Sequence, residues 1–297
     1  MWFKNITLFD LVEPFTLTPE ELARSFDDLQ FRPCGGLEPF SFGWAPAMGR
    51  LGGELTHAAG GFIAMCARRE DRLLPPAVIR ETVEERIAQI ESDDFRTVTR
   101  KERTRLRDDV TFELLPRAFT RSTFVHAYLS PADGLLVIDS TSPKGVEEFT
   151  ILLGRAMGRI DLTPFETGRD IVPILTRWVS SNRTPGGFAL MNECEMRDKA
   201  DEKAIVRCVG KDLGSQEVRA HIDAGMEVQR LALSFHDRLS FVLSADLTLR
   251  RLRFESVREM EHDETLDAAG QFDMDFAYMT NELQHLVAEL REVFPRS

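Results

Sequence analysis

Three short apolar segments near the C-terminal end constrain the fold of this chain most strongly. Residues 227–235, 239–243 and 247–254 are separated by polar turns, and apolar side chains alternate along the first two of them. Alternation with a period of two is typical of half-buried strands. The segments therefore predict an antiparallel meander. In the third segment the alternation slips at Arg250 and Arg251, which predicts a β-bulge at that point.

Helix start signals are interleaved with the strand segments. Pro75 and Pro76 open a segment with an apolar stripe, and Thr99 and Glu102 form a capping box at the start of a second helix. Two helices joined by a short polar turn predict a helical hairpin at about 75–115. Its apolar stripes are narrow, which favours a hairpin that projects from the body of the protein. The predicted fold class is α+β, with antiparallel sheets and packed helices.

The length of 297 residues allows one large domain or two ordinary ones. Residues 181–187, SNRTPGG, are the strongest linker signal in the chain. We therefore predict two α+β lobes. Residues 1–165 would form the N-terminal lobe with the hairpin, and residues 166–297 the C-terminal lobe with the meander.

A strongly basic stretch lies within the predicted hairpin, although the chain as a whole carries a formal net charge of -12. Between residues 96 and 107 there are six basic residues and one acid, Glu102. The helix is predicted over about 100–114. Arg96, Arg100, Arg103 and Arg107 follow the spacing of one helical face, and we expect no acidic partners on it. Segregated positive charge is what a surface that binds a polyanion requires.

The basic stretch has two other interpretations, a solvated helix face and a docking surface for an acidic protein partner. The interpretation favoured here is DNA binding through phosphates, because no base-reading motif is present and little sequence preference is expected. The predicted DNA-binding residues share a positive charge within the basic stretch, beside it, or on later strands. They are Arg96, Arg100, Lys101, Arg103, Arg105, Arg107, Arg117, Arg121, Lys211, Arg250, Arg251 and Arg253.

Phe119 is the most conspicuous single residue of the stretch. It follows Pro116 in a predicted loop and lies between Arg117 and Arg121. Three roles are open: a plug that fixes the base of the hairpin, an anchor in a protein interface, and a wedge against DNA bases.

No catalytic motif is found in the sequence. The chain contains no GxGxxG, GxSxG or HExxH pattern, and its four cysteines show no CxxC spacing. We therefore expect a protein that is not an enzyme and that needs no metal or cofactor. A metal-dependent nuclease is the alternative, with carboxylates drawn from three acidic groups. These groups are Asp108 with Asp109, Asp273 with Asp275, and His262, Asp263 and Glu264.

The sequence also bears on location. No apolar run approaches the ~20 residues of a membrane span, and the first residues do not resemble a signal peptide. A cytoplasmic protein without a membrane partner is expected.

Short motifs spread along the whole chain resemble a known family. They are MWFKN at 1–5, FRPCG at 31–35, GWAPAMG at 43–49, LTH at 55–57, LLPRAF at 114–119 and DFAYMT at 275–280. Each motif is short, and their joint order is specific. Together they are similar to the RdgC family of recombination-associated proteins.

The resemblance implies a ring-shaped homodimer that encircles duplex DNA without sequence preference, with single-stranded DNA as an open alternative. It also implies association with the nucleoid and functional antagonism of RecA in recombination and replication. Phe119 matches an aromatic position of the family, for which a contact that closes the ring is expected. Val209 and Gly210 stand where the family is more basic, and Lys211 keeps one positive charge there.

Overall fold

The computed structural model describes residues 2–168, 170–201, 203–255 and 267–295. Within these ranges the chain forms twelve strands and seven helices. The strands are β1 (Thr7–Leu11), β2 (Phe40–Ala45), β3 (Thr56–Ala59), β4 (Phe62–Leu73), β5 (Phe119–Ser130), β6 (Leu135–Ile138), β7 (Leu162–Pro164), β8 (Phe188–Asp198), β9 (Ile205–Val209), β10 (Met226–Phe235), β11 (Leu239–Ser244) and β12 (Leu249–Phe254). The helices are α1 (Pro19–Phe26), α2 (Pro76–Asp94), α3 (Arg100–Leu114), α4 (Pro143–Met157), α5 (Val172–Ser181), α6 (Gln216–Asp223) and α7 (Ala268–Val293). The mixed α and β composition with antiparallel strands confirms the predicted fold class.

The chain divides into two compact units. The first unit comprises Met1–Ser25, Pro46–Cys66 and Val125–Ser297, and the second comprises Phe26–Ala45 and Ala67–Phe124. Strands β4 and β5 each begin in one unit and end in the other.

This division does not coincide with the predicted boundary at 165/166, because each unit is made of more than one segment of the chain. The beginning of the chain and its last helix belong to the same unit, where the Phe3 backbone N–H donates to the Met279 sulfur at 3.2 Å. Ile6 also forms an antiparallel bridge with Leu249 of β12. The two ends of the chain therefore meet in one core.

Two antiparallel sheets build the first unit. In one of them β6 lies between β5 and β1, and β7 pairs with the other side of β1. The second sheet has the order β12-β11-β10-β8-β9. Strands β10, β11 and β12 are consecutive antiparallel neighbours, with Leu231 opposite Leu243 and Leu239 opposite Phe254. The predicted meander is confirmed.

The predicted β-bulge is also confirmed. The register between β11 and β12 shifts between the pairs Ser240–Arg253 and Val242–Arg250. Arg251 has a φ of 53°, in the left-handed region that non-glycine residues rarely adopt. The slipped alternation in the sequence therefore reports a real irregularity of the strand.

Helix α7 supplies much of the core of the first unit. Phe276, Met279, Leu283, Leu286 and Leu290 are fully buried, and their spacing of three and four residues places them on one helical face. Full burial of such a side chain contributes about 1.5–3 kcal/mol relative to its exposure.

The second unit contains the predicted helical hairpin of α2 and α3. A small cluster of Val83, Ile87, Val98 and Val110 is buried between the helices. Val78 lies in the first turn of α2, away from the four buried side chains, and is 42% exposed.

The other segment of the second unit, Phe26–Ala45, contains an aromatic stack between its two ends. The rings of Phe26 and Trp44 are parallel, with centroids 3.8 Å apart. Gly43 lies beside this stack, where a Cβ atom would approach the Leu29 carbonyl and the Phe31 nitrogen to 2.7 Å. Only glycine fits this close approach of two backbone segments.

Candidate nucleic-acid interface

The capping box at the start of α3 is confirmed and sets the orientation of the basic helix. The Thr99 hydroxyl accepts from the Glu102 backbone N–H at 3.4 Å, and the Glu102 carboxylate accepts from the Thr99 backbone N–H at 2.9 Å. The Thr99 backbone N–H and the Thr99 hydroxyl both donate to the Glu102 carboxylate at 2.9 Å, and these two hydrogen bonds, with a smaller contribution from Arg96, hold the pKa of Glu102 below its ordinary value. Glu102 is therefore committed to the helix start and to Arg96, and it forms no ion pair with the cations of α3.

Four cations of α3 point into solvent. Arg100, Lys101, Arg105 and Arg107 are exposed, and none forms an ion pair with any residue in the described part of the chain. Their positive charges are fully available to an anion from outside. This is the arrangement that phosphate contacts require.

Two arginines of the basic stretch form ion pairs, so the prediction that this face has no acidic partners is wrong. Arg96 forms ion pairs with Asp94 at 3.1 Å and Glu102 at 2.9 Å, and Arg103 contacts Glu84 of α2 at 2.7 Å. Arg96 also lies before the first residue of α3, so it does not share the helical face. Exposed pairs of this kind contribute only about 0–1 kcal/mol, so a phosphate can compete for both arginines.

A cavity of about 510 Å³ lies between α2 and α3. Ile79 and Val83 contribute apolar surface to it, and Arg100, Arg103 and Arg107 contribute positive charge. The three arginines of one helical face are thus brought together as the sequence predicted.

Phe119 is the first residue of β5 and is 85% exposed. The prediction that it lies in a loop is therefore wrong, because β5 already begins at Phe119. A buried plug is also wrong, since the ring contacts little of its own chain. Its neighbours Arg117 and Arg121 are exposed and form no ion pair among the described residues.

Arg72 fixes the turn that precedes Phe119, a role that the sequence did not reveal. One of its terminal nitrogens donates to the carbonyls of Leu115, Pro116 and Ala118 at 3.1, 3.2 and 3.3 Å. The other donates to the Gly35 carbonyl at 3.1 Å. No sequence pattern marks such a residue, because carbonyl acceptors are present at every position.

The second predicted group of cations lies in the first unit. Lys211 forms an ion pair with Glu217, and Arg251 forms one with Glu193 at 2.5 Å. Arg253 is exposed and forms no ion pair with a described residue. Arg250 lies beside Arg251 at the bulge, and both line the same cavity.

The carboxylates considered for a nuclease do not converge within the described residues. Asp273 contacts the His57 Nε2 atom at 2.5 Å, and Asp275 accepts from the Gln271 amide at 2.8 Å. The group 262–264 lies outside the described residues. In the described ranges no three side chains of His, Cys, Asp or Glu approach closely enough to hold a metal ion. The same ranges contain no helix that is long and apolar enough to cross a bilayer.

Comparison with known proteins agrees with the motif pattern along the whole chain. A model of the RdgC family, described as "Putative exonuclease, RdgC", matches residues 1–296. Recombination-associated protein RdgC of Halorhodospira halophila is 42% identical over 296 residues, which cover 99% of this chain and 98% of that protein. The protein of the same name from Shewanella loihica is 38% identical over 295 residues, with coverages of 99% and 97%. The chain therefore belongs to the RdgC family of recombination-associated proteins.

Proposed function

We propose that this protein binds DNA without sequence preference and does so as part of recombination, without catalysing a reaction. The observation that carries the proposal is the group of four exposed cations on α3 that have no acidic partner among the described residues, in a chain of net charge -12. A polyanion is attracted to that segment and repelled by most of the remaining surface. Arg117, Arg121 and the arginines of β12 extend the set of phosphate contacts.

Sequence-independent binding follows from the kind of contact available. Arginine and lysine side chains that meet phosphates fix the position of a protein on DNA but carry no information on the bases. We therefore expect equal affinity for unrelated duplexes of the same length.

The proposal includes a homodimer that encircles the duplex as a ring, association with the nucleoid and antagonism of RecA. Membership of the RdgC family supports these elements. Exposed phenylalanines in the second unit also favour a protein interface, because buried aromatic anchors dominate such contacts. Phe95, Phe112 and Phe119 are 93%, 61% and 85% exposed.

Fluorescence anisotropy of a labelled duplex of about 30 base pairs tests the binding. Two unrelated sequences are titrated at about 50 and 200 mM salt, and five or six phosphate contacts predict a loss of affinity on the order of 10³ between them. The triple variant Arg100→Gln, Arg103→Gln and Arg107→Gln should bind both sequences more weakly and show a flatter salt dependence.

A matched triple variant controls for net charge. Arg24→Gln, Arg155→Gln and Arg219→Gln remove the same charge from exposed positions on other helices, and should bind nearly as well as wild type. Unchanged affinity and salt slope in the α3 variant would overturn the assignment.

A separate experiment tests the absence of catalysis. The protein is incubated with the labelled duplex and Mg²⁺ or Mn²⁺, and the duplex should stay intact. Shortening or nicking of the duplex that is lost on substituting Asp273 and Asp275 would replace the proposal with a nuclease.

A further inference from the structure

A second cationic site lies on the five-stranded sheet of the first unit, away from the basic helix in sequence. It is a cavity of about 350 Å³. Its charged lining consists of four arginines and two glutamates, a formal excess of two positive charges. They are Arg207 of β9, Arg230 of β10, Arg250 and Arg251 of β12, and Glu193 and Glu195 of β8.

The β-bulge is the reason that two of these arginines are together. Consecutive residues of a regular strand point to opposite faces of the sheet. At the bulge, Arg250 and Arg251 both line the cavity, and Arg251 adopts a φ of 53°. Glycine would adopt this conformation with less strain, so an arginine held there is a reason to look for a function.

Most charges of the cavity wall are paired within the protein. Arg207 donates to Glu195 at 2.8 Å, and Arg230 lies 3.5 Å from the same carboxylate. Burial alone would raise the pKa of Glu195, but the hydrogen bond from Arg207 and the charges of the neighbouring arginines outweigh it and lower the pKa. Glu195 is therefore an ionised counter-charge that holds two arginines at the wall.

Arg250 forms no ion pair with a described residue, and its Nε atom is buried without a hydrogen-bond acceptor there. Glu195, which lines the same cavity, also has one buried oxygen, Oε1, that accepts no hydrogen bond from the described residues and lies 3.6 Å from an Arg197 nitrogen. A buried N–H donor without an acceptor is unfavourable, and native structures rarely contain one unless an ion, water or ligand supplies the acceptor. In a cavity with excess positive charge, the fitting acceptor is an anion.

We propose that this cavity binds a phosphate group, carried either by a nucleotide or by a DNA strand. Guanidinium groups bind phosphate oxygens through paired, charge-assisted hydrogen bonds, and arginine suits this geometry better than lysine. A cavity of about 350 Å³ falls at the lower end of the range for small-ligand sites, roughly 300–1,000 Å³. It is larger than one phosphate requires and leaves room for an attached sugar.

Isothermal titration calorimetry of the full chain tests this site with three ligands. Deoxyadenosine 5′-monophosphate should bind with one site per chain, and deoxyadenosine, which lacks the phosphate, should not. A dinucleoside with one internal phosphodiester and no terminal phosphate distinguishes the source. If it also binds, the site accepts a DNA backbone phosphate, and if it does not, the site takes a terminal phosphate or a free nucleotide.

Variants locate the site. Arg250→Gln and Arg230→Gln should each weaken monophosphate binding by about tenfold or more, the effect of losing one charged hydrogen bond. Arg219→Gln, an exposed arginine of α6 outside the cavity, should stay within about twofold of wild type. If Arg250→Gln fails to fold, Arg251→Gln carries the test, because its side chain is exposed.

Three results would overturn the proposal. The first is the absence of monophosphate binding. The second is binding of deoxyadenosine with the same affinity as the monophosphate. The third is a loss of monophosphate affinity in Arg219→Gln that equals the loss in Arg250→Gln and Arg230→Gln. A mononucleotide carries a single phosphate and requires no contact with α3. Arg250 and Arg251 also belong to the proposed set of DNA contacts, so the inference rests in part on the proposed function. Normal duplex binding without monophosphate binding would overturn this site alone, and monophosphate binding without duplex binding would overturn the proposed function alone.

Discussion

His126 in β5 is a residue whose protonation is linked to the stability of the fold. Its Nδ1 atom is buried, and burial lowers the pKa of the side chain to about 4. In the unfolded chain a histidine titrates near its ordinary value of about 6.5. Between these two values the unfolded state binds a proton that the folded state does not, so stability falls as the pH drops through this window.

We predict that this group alone removes about 2 kcal/mol of unfolding free energy between pH 7 and pH 5. Urea unfolding at both pH values measures the loss, and the His126→Gln variant should lose correspondingly less than wild type. His285→Gln is the control, because His285 is exposed on α7 and its removal should leave the pH dependence unchanged. Parallel behaviour of wild type and His126→Gln would show that His126 is not the cause.

At the scale of the element, local sequence signals were sufficient for the basic hairpin. Thr99 and Glu102 mark the start of α3 because a capping box depends only on residues three positions apart. The ion pair between Arg103 and Glu84 could not be predicted in the same way. It depends on how α2 and α3 pack, and the two residues lie 19 positions apart in the chain.

The Arg103–Glu84 ion pair leads to a prediction of tighter binding. Glu84→Gln releases Arg103 and removes a carboxylate that repels phosphate, so duplex affinity should rise and the salt slope should steepen by up to about 0.9. Glu85→Gln is a matched control, because it makes the same change of charge at the next position of α2, where no ion pair forms with a described residue. Anisotropy titrations of both variants make the comparison. An equal effect of the two substitutions would mean that net charge, not the release of Arg103, governs binding.

The bulge in β12 could be predicted from the sequence, but the cavity beside it could not. The slipped alternation at Arg250 and Arg251 was visible in the sequence, because the pattern of a single strand depends on its own residues. The cavity beside it was not visible. It also needs Arg207, Arg230 and Glu195 from three other strands, and the order of strands in a sheet cannot be read from one sequence.

At the scale of the whole molecule, the distribution of charge could be predicted from the sequence, but the segments that form each compact unit could not. The net charge of -12 and the basic segment of α3 were evident before the structure was known. The meeting of the first residues with α7 was not, because the contact between Phe3 and Met279 spans 276 positions. Local linker signals such as residues 181–187 carry no information about contacts at that distance.

Assembly of two chains is the remaining question at this scale, and Phe119 is the residue through which it can be tested. The ring is 85% exposed, so Phe119→Ala should change the unfolding free energy of the chain by no more than about 0.5 kcal/mol. An aromatic anchor at a protein interface contributes about 2 kcal/mol or more. We therefore predict a weaker homodimer, seen by analytical ultracentrifugation at matched concentrations, together with faster loss of closed circular DNA.

Ile151→Ala is the control for this substitution. Ile151 is 55% exposed on α4 of the other unit, so its truncation also removes an exposed apolar side chain. Dimerisation and retention of circular DNA should remain as in wild type. If Phe119→Ala behaves like Ile151→Ala in both assays, Phe119 neither closes a ring nor holds DNA. Dimerisation through other exposed side chains, such as Phe95 and Phe112, would then have to be tested by the same two measurements.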